Sequence, residues 1–402
     1  MLEQRTAAAV AAPSVGITVA LCFLVAVVEG FDIQAMGVAA PRLVPEFGFK
    51  PEQLGWVFSI SNIGLVIGAS FGGWLADVVG RKPVFIGAVV SFGIFTLLTS
   101  LVGTFEAMFV VRLCAGLGFG AALPNMMALA AEVSAPEKRA STAAAVFCGM
   151  PVGGGTSALL TQLLPEGFDW RVLFEIGGIL PLLLAPTIYF LMPETLTKSA
   201  GEAPRTNVVD ALTAEGRTPV TLLLWLAFLP TLLILYLILN WLPTLVTANG
   251  LDKAVAPQAS LAFNWASVAG ALVFGKLVDR MDVRWPMAAA YAGLIVSLIA
   301  LSAAKGLAAT VVLSAAAGFF LLGANYALYG VAATYYPKSV RGTGSGASVA
   351  VGRVGSIVGP LLAGILLGSG TSASGVVQYM VPVAVLAGAA VVGLSFFRRP
   401  AE

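Results

Sequence analysis

Apolar runs of about 20 residues recur from one end of this chain to the other, and nothing else restricts its fold as much. They fall near 15–40, 53–76, 83–101, 105–131, 140–164, 171–191, 219–245, 257–277, 286–304, 308–335, 343–367 and 376–397. Each matches the roughly 20 residues a helix needs to cross about 30 Å of hydrocarbon. Lipid offers no partner for backbone N–H and C=O groups, so such runs must close their hydrogen bonds internally, as helices. Composition agrees: 58% of the 402 residues are hydrophobic and 10% are charged, against about 25% charged in a soluble domain. The expected fold class is an all-α integral membrane protein with twelve transmembrane helices.

The one long polar stretch, "PETLTKSAGEAPRTNVVDALTAEGRT", falls between the sixth and seventh runs. It divides the chain into a six-helix half (1–193), a solvated linker (194–218) and a second six-helix half (219–402). The halves echo each other. Gly68, Gly73 and Asp77 recur 202 positions later as Gly270, Gly275 and Asp279, and Gly116 recurs as Gly318. The loop "SAPEKRAS", holding Arg139, is echoed by "YYPKSVRGTG". Parallel repeats of this kind place a site at the interface of the halves, near the bilayer midplane, and are an architecture of transporters. With the N-terminus inside, 15 of the 22 basic residues lie in cytoplasmic segments, which puts both termini and the linker on that side. The first run is too long for the apolar core of a cleavable signal and has no A-x-A exit before its acids, so it reads as the first helix.

Several function classes are disfavoured. A net charge of +2 without a basic tract argues against nucleic acid. Cys22, Cys114 and Cys148 lie in apolar runs, where they read as small packing residues. There is no CxxC pattern and no histidine, which argues against a disulfide framework and a metal site. No nucleophile–base set or phosphate-binding loop is present, so neither enzyme activity nor a cofactor is expected.

Charge inside the apolar runs is the next signal. Arg112 lies about 10 Å inside the fourth run and Arg353 roughly 16 Å inside the eleventh, at 1.5 Å per residue. A cation at the bilayer centre costs about 2.5–3.5 kcal/mol on the insertion scale, and such groups are functional by default. Gly116 and Gly120 follow Arg112 at four-residue spacing and read as close-packing positions that leave the arginine facing inward. Glu29 and Asp32 share one face of the first helix. Burial favours the neutral form of a carboxyl and a neighbouring guanidinium the ionised form. Acids whose arginine contact changes with conformation can therefore load and release a proton, with Glu29, Asp32 and Arg112 as the coupling group; a static ion pair is the alternative. Arg353 offers a planar fork for a carboxylate, and Ser356, one turn away, can assist. Trp170 and Trp285 stand at run ends, as interfacial residues do.

After the second run comes "GGWLADVVGRK", with Gly73 permitting close helix approach, Asp77 as an acceptor and Arg81 in a basic turn. This spacing resembles the signature loop of the major facilitator superfamily, and "GKLVDRMDVR", with Asp279, is its weaker second-half echo. The run holding Arg112 resembles the superfamily motif R-x-x-x-G-x-x-x-G, whose arginine is associated with proton coupling. The phrases "EGFDIQAMGVAAPRL", "GLGFGAALPNMMALAAE", "LILNWLPTL" and "GSGASVAVGRVGSIVGPLLAG" resemble the aromatic acid:proton symporter family within that superfamily. The likeness covers nearly the whole chain. It implies the major facilitator fold, proton-coupled uptake of a hydroxyphenylpropionate- or hydroxybenzoate-type acid, and functional positions at Glu29, Asp32, Asp77, Arg112, Glu132 and Arg353. Glu29 departs from the aspartate of many members, which puts benzoate-type substrates in question.

An aromatic substrate needs apolar walls and polar partners for its substituents. Phe147, Trp241, Phe263, Trp265 and Tyr326 are the expected walls, with Asn240, Asn264 and Asn325 for hydroxyls. Gly73, Asp77, Arg81, Glu132, Arg139 and Asp279 are the expected gate. "GMPVGGG" in the fifth run lacks the Gly-Pro pair of drug antiporters and reads as a kink and packing segment. The expected setting is a bacterial inner membrane, as a monomer surrounded by lipid, with protons and a small aromatic carboxylate as partners. A carrier of a non-aromatic organic acid, an exporter and a non-transporting receptor are the alternatives.

Overall fold

The computed structural model describes residues 15–135, 138–165, 167–192, 207–337 and 339–397. Its elements are α1 (Val15–Phe47), α2 (Pro51–Val79), α3 (Arg81–Thr99), α4 (Phe105–Val133), α5 (Arg139–Phe147), α6 (Gly149–Leu163) and α7 (Arg171–Leu191). There follow α8 (Val208–Thr213), a 3-10 turn (Ala214–Gly216), α9 (Thr218–Ala248), α10 (Pro257–Arg280), α11 (Arg284–Ser302), α12 (Leu307–Thr334), α13 (Arg341–Gly368) and α14 (Ala373–Leu394). Twelve helical spans among the described residues are long and apolar enough to cross a membrane. They correspond one to one with the twelve apolar runs.

Two differences from the sequence reading have local causes. The fifth span is broken at Cys148 into α5 and α6, because Pro151 has no N–H for the carbonyl of Phe147 and glycines crowd the next turn. About half of the polar linker, residues 194–206, lies outside the described residues. Its described end is not merely solvated: α8 is capped by Asn207, whose side chain accepts from the Val209 N–H. Arg217 then donates to the Ala211 and Asp210 carbonyls at 3.1 Å, closing the other end.

The internal repeat has a packing counterpart. α2 packs on α4 as α10 packs on α12. A methyl added at Gly68 would meet the Leu117 carbonyl at 2.1 Å, and one at Gly270 the Phe319 carbonyl at 1.9 Å. Gly116 faces Ser61 and Gly318 faces Phe263 in the same way, at 2.2 and 2.1 Å. Each contact reappears with both partners shifted by the same 202 positions, so the glycines bring backbones together in lipid, where small residues drive helix association. Gly73 and Gly275 do not: among the described residues space is open around both, and the close helix approach expected at Gly73 is not seen.

The halves meet through α2 against α13, α6 against α10 and α1 against α9. At the end where α1 gives way to α2, the seam is closed. Ser59 donates to the Ile357 carbonyl at 2.7 Å, Phe58 stands edge-on to Trp241 at 5.3 Å, and Gln162 bonds the Ala254 carbonyl and receives a bond from Gln258, both at 3.1 Å. Backbones touch there as well. A methyl on Gly364 would lie 2.6 Å from the Pro51 carbonyl oxygen. Trp170 sits at this end but is buried, donating to Glu46 at 2.7 Å and packed on Phe47 and Phe174 rather than facing lipid headgroups. Trp285 is 62% exposed, as an interfacial residue would be.

Candidate functional site

A cavity of about 420 Å³ lies between the halves. It begins at mid-span with Gly30, Ile33 and Gln34 of α1 and Arg353 of α13, and runs along α5, α10 and α12 toward the end that carries the α2–α3 loop. Ala143, Ala144, Ala271, Gly275, Tyr329 and Gly330 line that part. The other end is shut by the seam. The cavity therefore opens on one side only, and its wall is mostly apolar: Leu232, Leu235, Leu239, Leu272, Leu322, Met150 and Phe147 contribute.

Two prolines shape this wall by a shared device. Pro151 cannot donate to the Phe147 carbonyl and Pro243 cannot donate to the Leu239 carbonyl, four residues earlier in each helix. A carbonyl left bare at membrane depth is costly. In both cases a side chain of the opposite half takes the bond. Tyr326 donates its hydroxyl to Phe147 at 3.3 Å, and Gln34 donates its amide to Leu239 at 2.9 Å. Gln34 in turn accepts from Asn264 at 3.0 Å, so α1, α9 and α10 are tied at one point.

The two intramembrane arginines stand in different surroundings. Arg112 is 2% exposed and fully engaged. Its Nη1 and Nη2 donate to the two Asp32 oxygens at 3.0 and 2.8 Å, its Nε to Ser61 at 3.2 Å, and Phe174 stands 5.8 Å away beneath the guanidinium. Thr96 donates to the same carboxylate at 2.9 Å. In this conformation Asp32 is therefore ion-paired with Arg112. Arg353 reaches the cavity, where its Nη1 donates to the Tyr236 hydroxyl at 2.9 Å and, among the described residues, no carboxylate lies within ion-pair distance. Glu29 is fully buried with neither oxygen hydrogen-bonded.

Of the residues expected to hold a substrate, the structure brings Arg353, Asn264, Asn325, Tyr326 and Phe147 to the cavity. Five others lie off its wall. Asn240 donates to the Tyr236 carbonyl one turn back, at 2.7 Å. Trp241 is buried in the seam and donates to the Pro360 carbonyl at 3.0 Å. Ser356 turns its hydroxyl onto the Arg353 carbonyl at 2.7 Å. Trp265 is 48% exposed and lies across Gly155, on the outer side of α10. Phe263, the fifth expected wall, is buried against Gly318 instead. Tyr236, Tyr329 and Gln34 line the cavity without having been singled out by the sequence. The available signal was that tyrosine and glutamine in an apolar helix require a hydrogen-bond partner.

The expected gate is also distributed differently. Arg81, at the start of α3, pairs with Glu132 at the end of α4, which links two helices of one half. Asp77, Arg139 and Asp279 are exposed at the open end, and the acceptor role expected of Asp77 is not seen among the described residues.

The sequence profile of the Major Facilitator Superfamily matches residues 22–262 and 224–402. The 3-(3-hydroxy-phenyl)propionate transporter of Escherichia coli is 38% identical over 375 residues, 93% of each chain. The gallate transporter of Pseudomonas putida is 35% identical, covering 87% of this chain and 85% of its own length. The 4-hydroxybenzoate transporter of Pseudomonas aeruginosa is 33% identical over 93% of this chain and 91% of its own. Among solved structures, an inward-facing bacterial homologue of the human lysosomal transporter Spinster superposes with a TM-score of 0.78 at 17% identity, over 96% of this chain and 97% of the other. The inward-open xylose transporter of Escherichia coli gives 0.72 at 15%, over 93% and 95%. These two likenesses concern the fold alone.

Proposed function

The chain belongs to the major facilitator superfamily, and we propose that within it this protein is a proton-coupled importer of a small hydroxylated aromatic carboxylate, working by alternating access. It is a membrane transporter and not an enzyme. The observation that carries the substrate class is Arg353: a guanidinium on the wall of a mainly apolar cavity, held by Tyr236 and without a carboxylate partner among the described residues. A guanidinium in low dielectric wants an anion, and its fork suits a carboxylate. The apolar walls suit a ring. The curated relatives named above, whose own substrates are aromatic acids, support the same class.

In the proposed cycle Glu29 carries the proton and Asp32 does not, since Asp32 is saturated by Arg112 and Thr96. A protonated Glu29 leaves Arg353 free to take the substrate anion; release of that anion lets Glu29 ionise beside the vacated arginine. The excess of basic residues on the loops at the open end supports a cytoplasmic location for that end and for both termini, in a bacterial inner membrane. We place the protein there as a monomer.

Uptake into proteoliposomes with an acidic exterior tests the reading. Labelled 3-(3-hydroxyphenyl)propionate, 4-hydroxybenzoate and gallate are offered beside aliphatic mono- and dicarboxylates, with and without a protonophore. Accumulation of at least one aromatic acid, collapsed by the protonophore, is expected. Accumulation of the aliphatic acids alone rejects the substrate class, and accumulation indifferent to the protonophore rejects the coupling.

A further inference from the structure

Most polar groups on the cavity wall are already bonded. Tyr236 accepts from Arg353, Tyr326 donates to Phe147, and Gln34 and Asn264 bond each other and the carbonyls of Leu239 and Ser260. Tyr329 packs edge-on to Phe228 at 5.3 Å and lines the same cavity as Arg353. Asn325 is different. It lines the cavity, is 5% exposed, and its Oδ1 has no hydrogen-bond partner. Three asparagines were equal candidates from the sequence; the structure engages Asn240 and Asn264 and leaves this one open.

An unpaired buried carbonyl is a standing cost that a ligand donor can remove. Asn325 and Tyr329 are one turn apart on the same face of α12, about 6 Å along the axis. That rise is comparable with the separation of carboxylate and ring hydroxyl in a small hydroxylated aromatic acid. A ligand whose carboxylate sits on Arg353 would present its far ring edge near Asn325.

We propose that Asn325 is the specificity-determining residue of this cavity, selecting hydroxylated over unsubstituted aromatic acids by accepting the ring hydroxyl proton. The inference rests on the aromatic-acid reading above. A pocket built to bond a hydroxyl rejects the analogue lacking it, because its own polar group is then left unpaired.

The test measures binding to purified protein for two pairs: 3-(3-hydroxyphenyl)propionate with 3-phenylpropionate, and 4-hydroxybenzoate with benzoate. The wild type should favour the hydroxylated member of at least one pair by about tenfold, the worth of one net hydrogen bond. Asn325→Leu and Asn325→Ala should each bring the ratio near one, by weakening the hydroxylated acid while the unsubstituted acid binds as before or better. Retained binding of the unsubstituted acid also shows that the variant is folded. A wild type without preference, a variant that keeps the preference, or equal loss of both members in both variants overturns the proposal. A wild type that binds none of the four acids overturns the aromatic-acid reading itself, which separates the two failures.

Discussion

The seam that closes one end of the cavity can be forced apart by a single methyl. Gly364 on α13 lies against the start of α2, where a Cβ would stand 2.6 Å from the Pro51 carbonyl oxygen and 3.3 Å from the Cα atoms of Glu52 and Gly55. An ordinary contact is 3.4 Å or more, so Gly364→Ala requires α2 and α13 to move apart by about 0.8 Å. Backbone supplies the obstacle, and no side chain can rotate away. Overpacking of this kind costs typically about 1–3 kcal/mol. The gain in helix propensity from Gly to Ala applies to α13 in every conformation and cancels. The clash exists only where the seam is closed, so it shifts the balance toward the state open at that end by roughly 5- to 150-fold. Spin labels at Lys50 and Ser369, exposed positions at the ends of α2 and α13, report the separation by pulsed dipolar spectroscopy in a cysteine-free background. The short-distance population should fall in Gly364→Ala. Gly346→Ala, on the same helix but with open space around it, should leave the distribution unchanged. A Gly364→Ala distribution identical to the parent, in a protein that still folds, would refute the claim that the two states are separated at this seam.

The remaining predictions concern the buried charges. Arg353→Lys keeps the charge but loses the planar fork, and affinity for an aromatic carboxylate should fall about tenfold or more; titration calorimetry showing wild-type affinity rejects the anchor. Glu29→Gln fixes the neutral form. One coupled proton supports up to about tenfold accumulation per unit of pH gradient, so the variant should lose that accumulation while retaining exchange of labelled for unlabelled substrate; pH-driven accumulation by the variant rejects Glu29 as the carrier. Asp32→Asn removes the bidentate partner of a guanidinium that is 2% exposed, and should destabilise the protein by about 3–5 kcal/mol. Replacing Arg112 by Gln in the same protein should recover part of the loss; a single variant with unchanged thermal stability contradicts the pairing.

The spans could be read because lipid leaves the backbone one solution per run. Which face of a span turns inward could not, and the misplacements show why. On α9 the cavity residues Leu232, Leu235, Tyr236 and Leu239 follow helical spacing. The outer faces of α9 are equally apolar, so hydrophobic periodicity carries no phase there, and Asn240 and Trp241 fall off the stripe by one and two positions. Charge escaped this problem: a guanidinium at membrane depth must turn inward whatever surrounds it, and Arg112 and Arg353 both do. Which acid each arginine would meet was not legible. Glu29 and Asp32 share a helix face, and only the approach of α4 decides that Asp32 takes Arg112 and Glu29 stays unbonded.

The carbonyls bared by Pro151 and Pro243 bear on how a carrier can cycle at all. Each half holds an acceptor that it cannot satisfy by itself, and each is answered from across the cavity by Tyr326 or Gln34. Parting the halves at these points breaks the bond between them but admits water to the same oxygen. The exchange of a protein partner for a water changes the free energy by only about 1 kcal/mol per bond. Adhesion between the halves is thereby made hydratable, in contrast to a dry apolar contact whose separation is costly in proportion to area. Each bared oxygen is a point where wetting substitutes for grip, so the closed and open forms can stay close in energy with nothing bound.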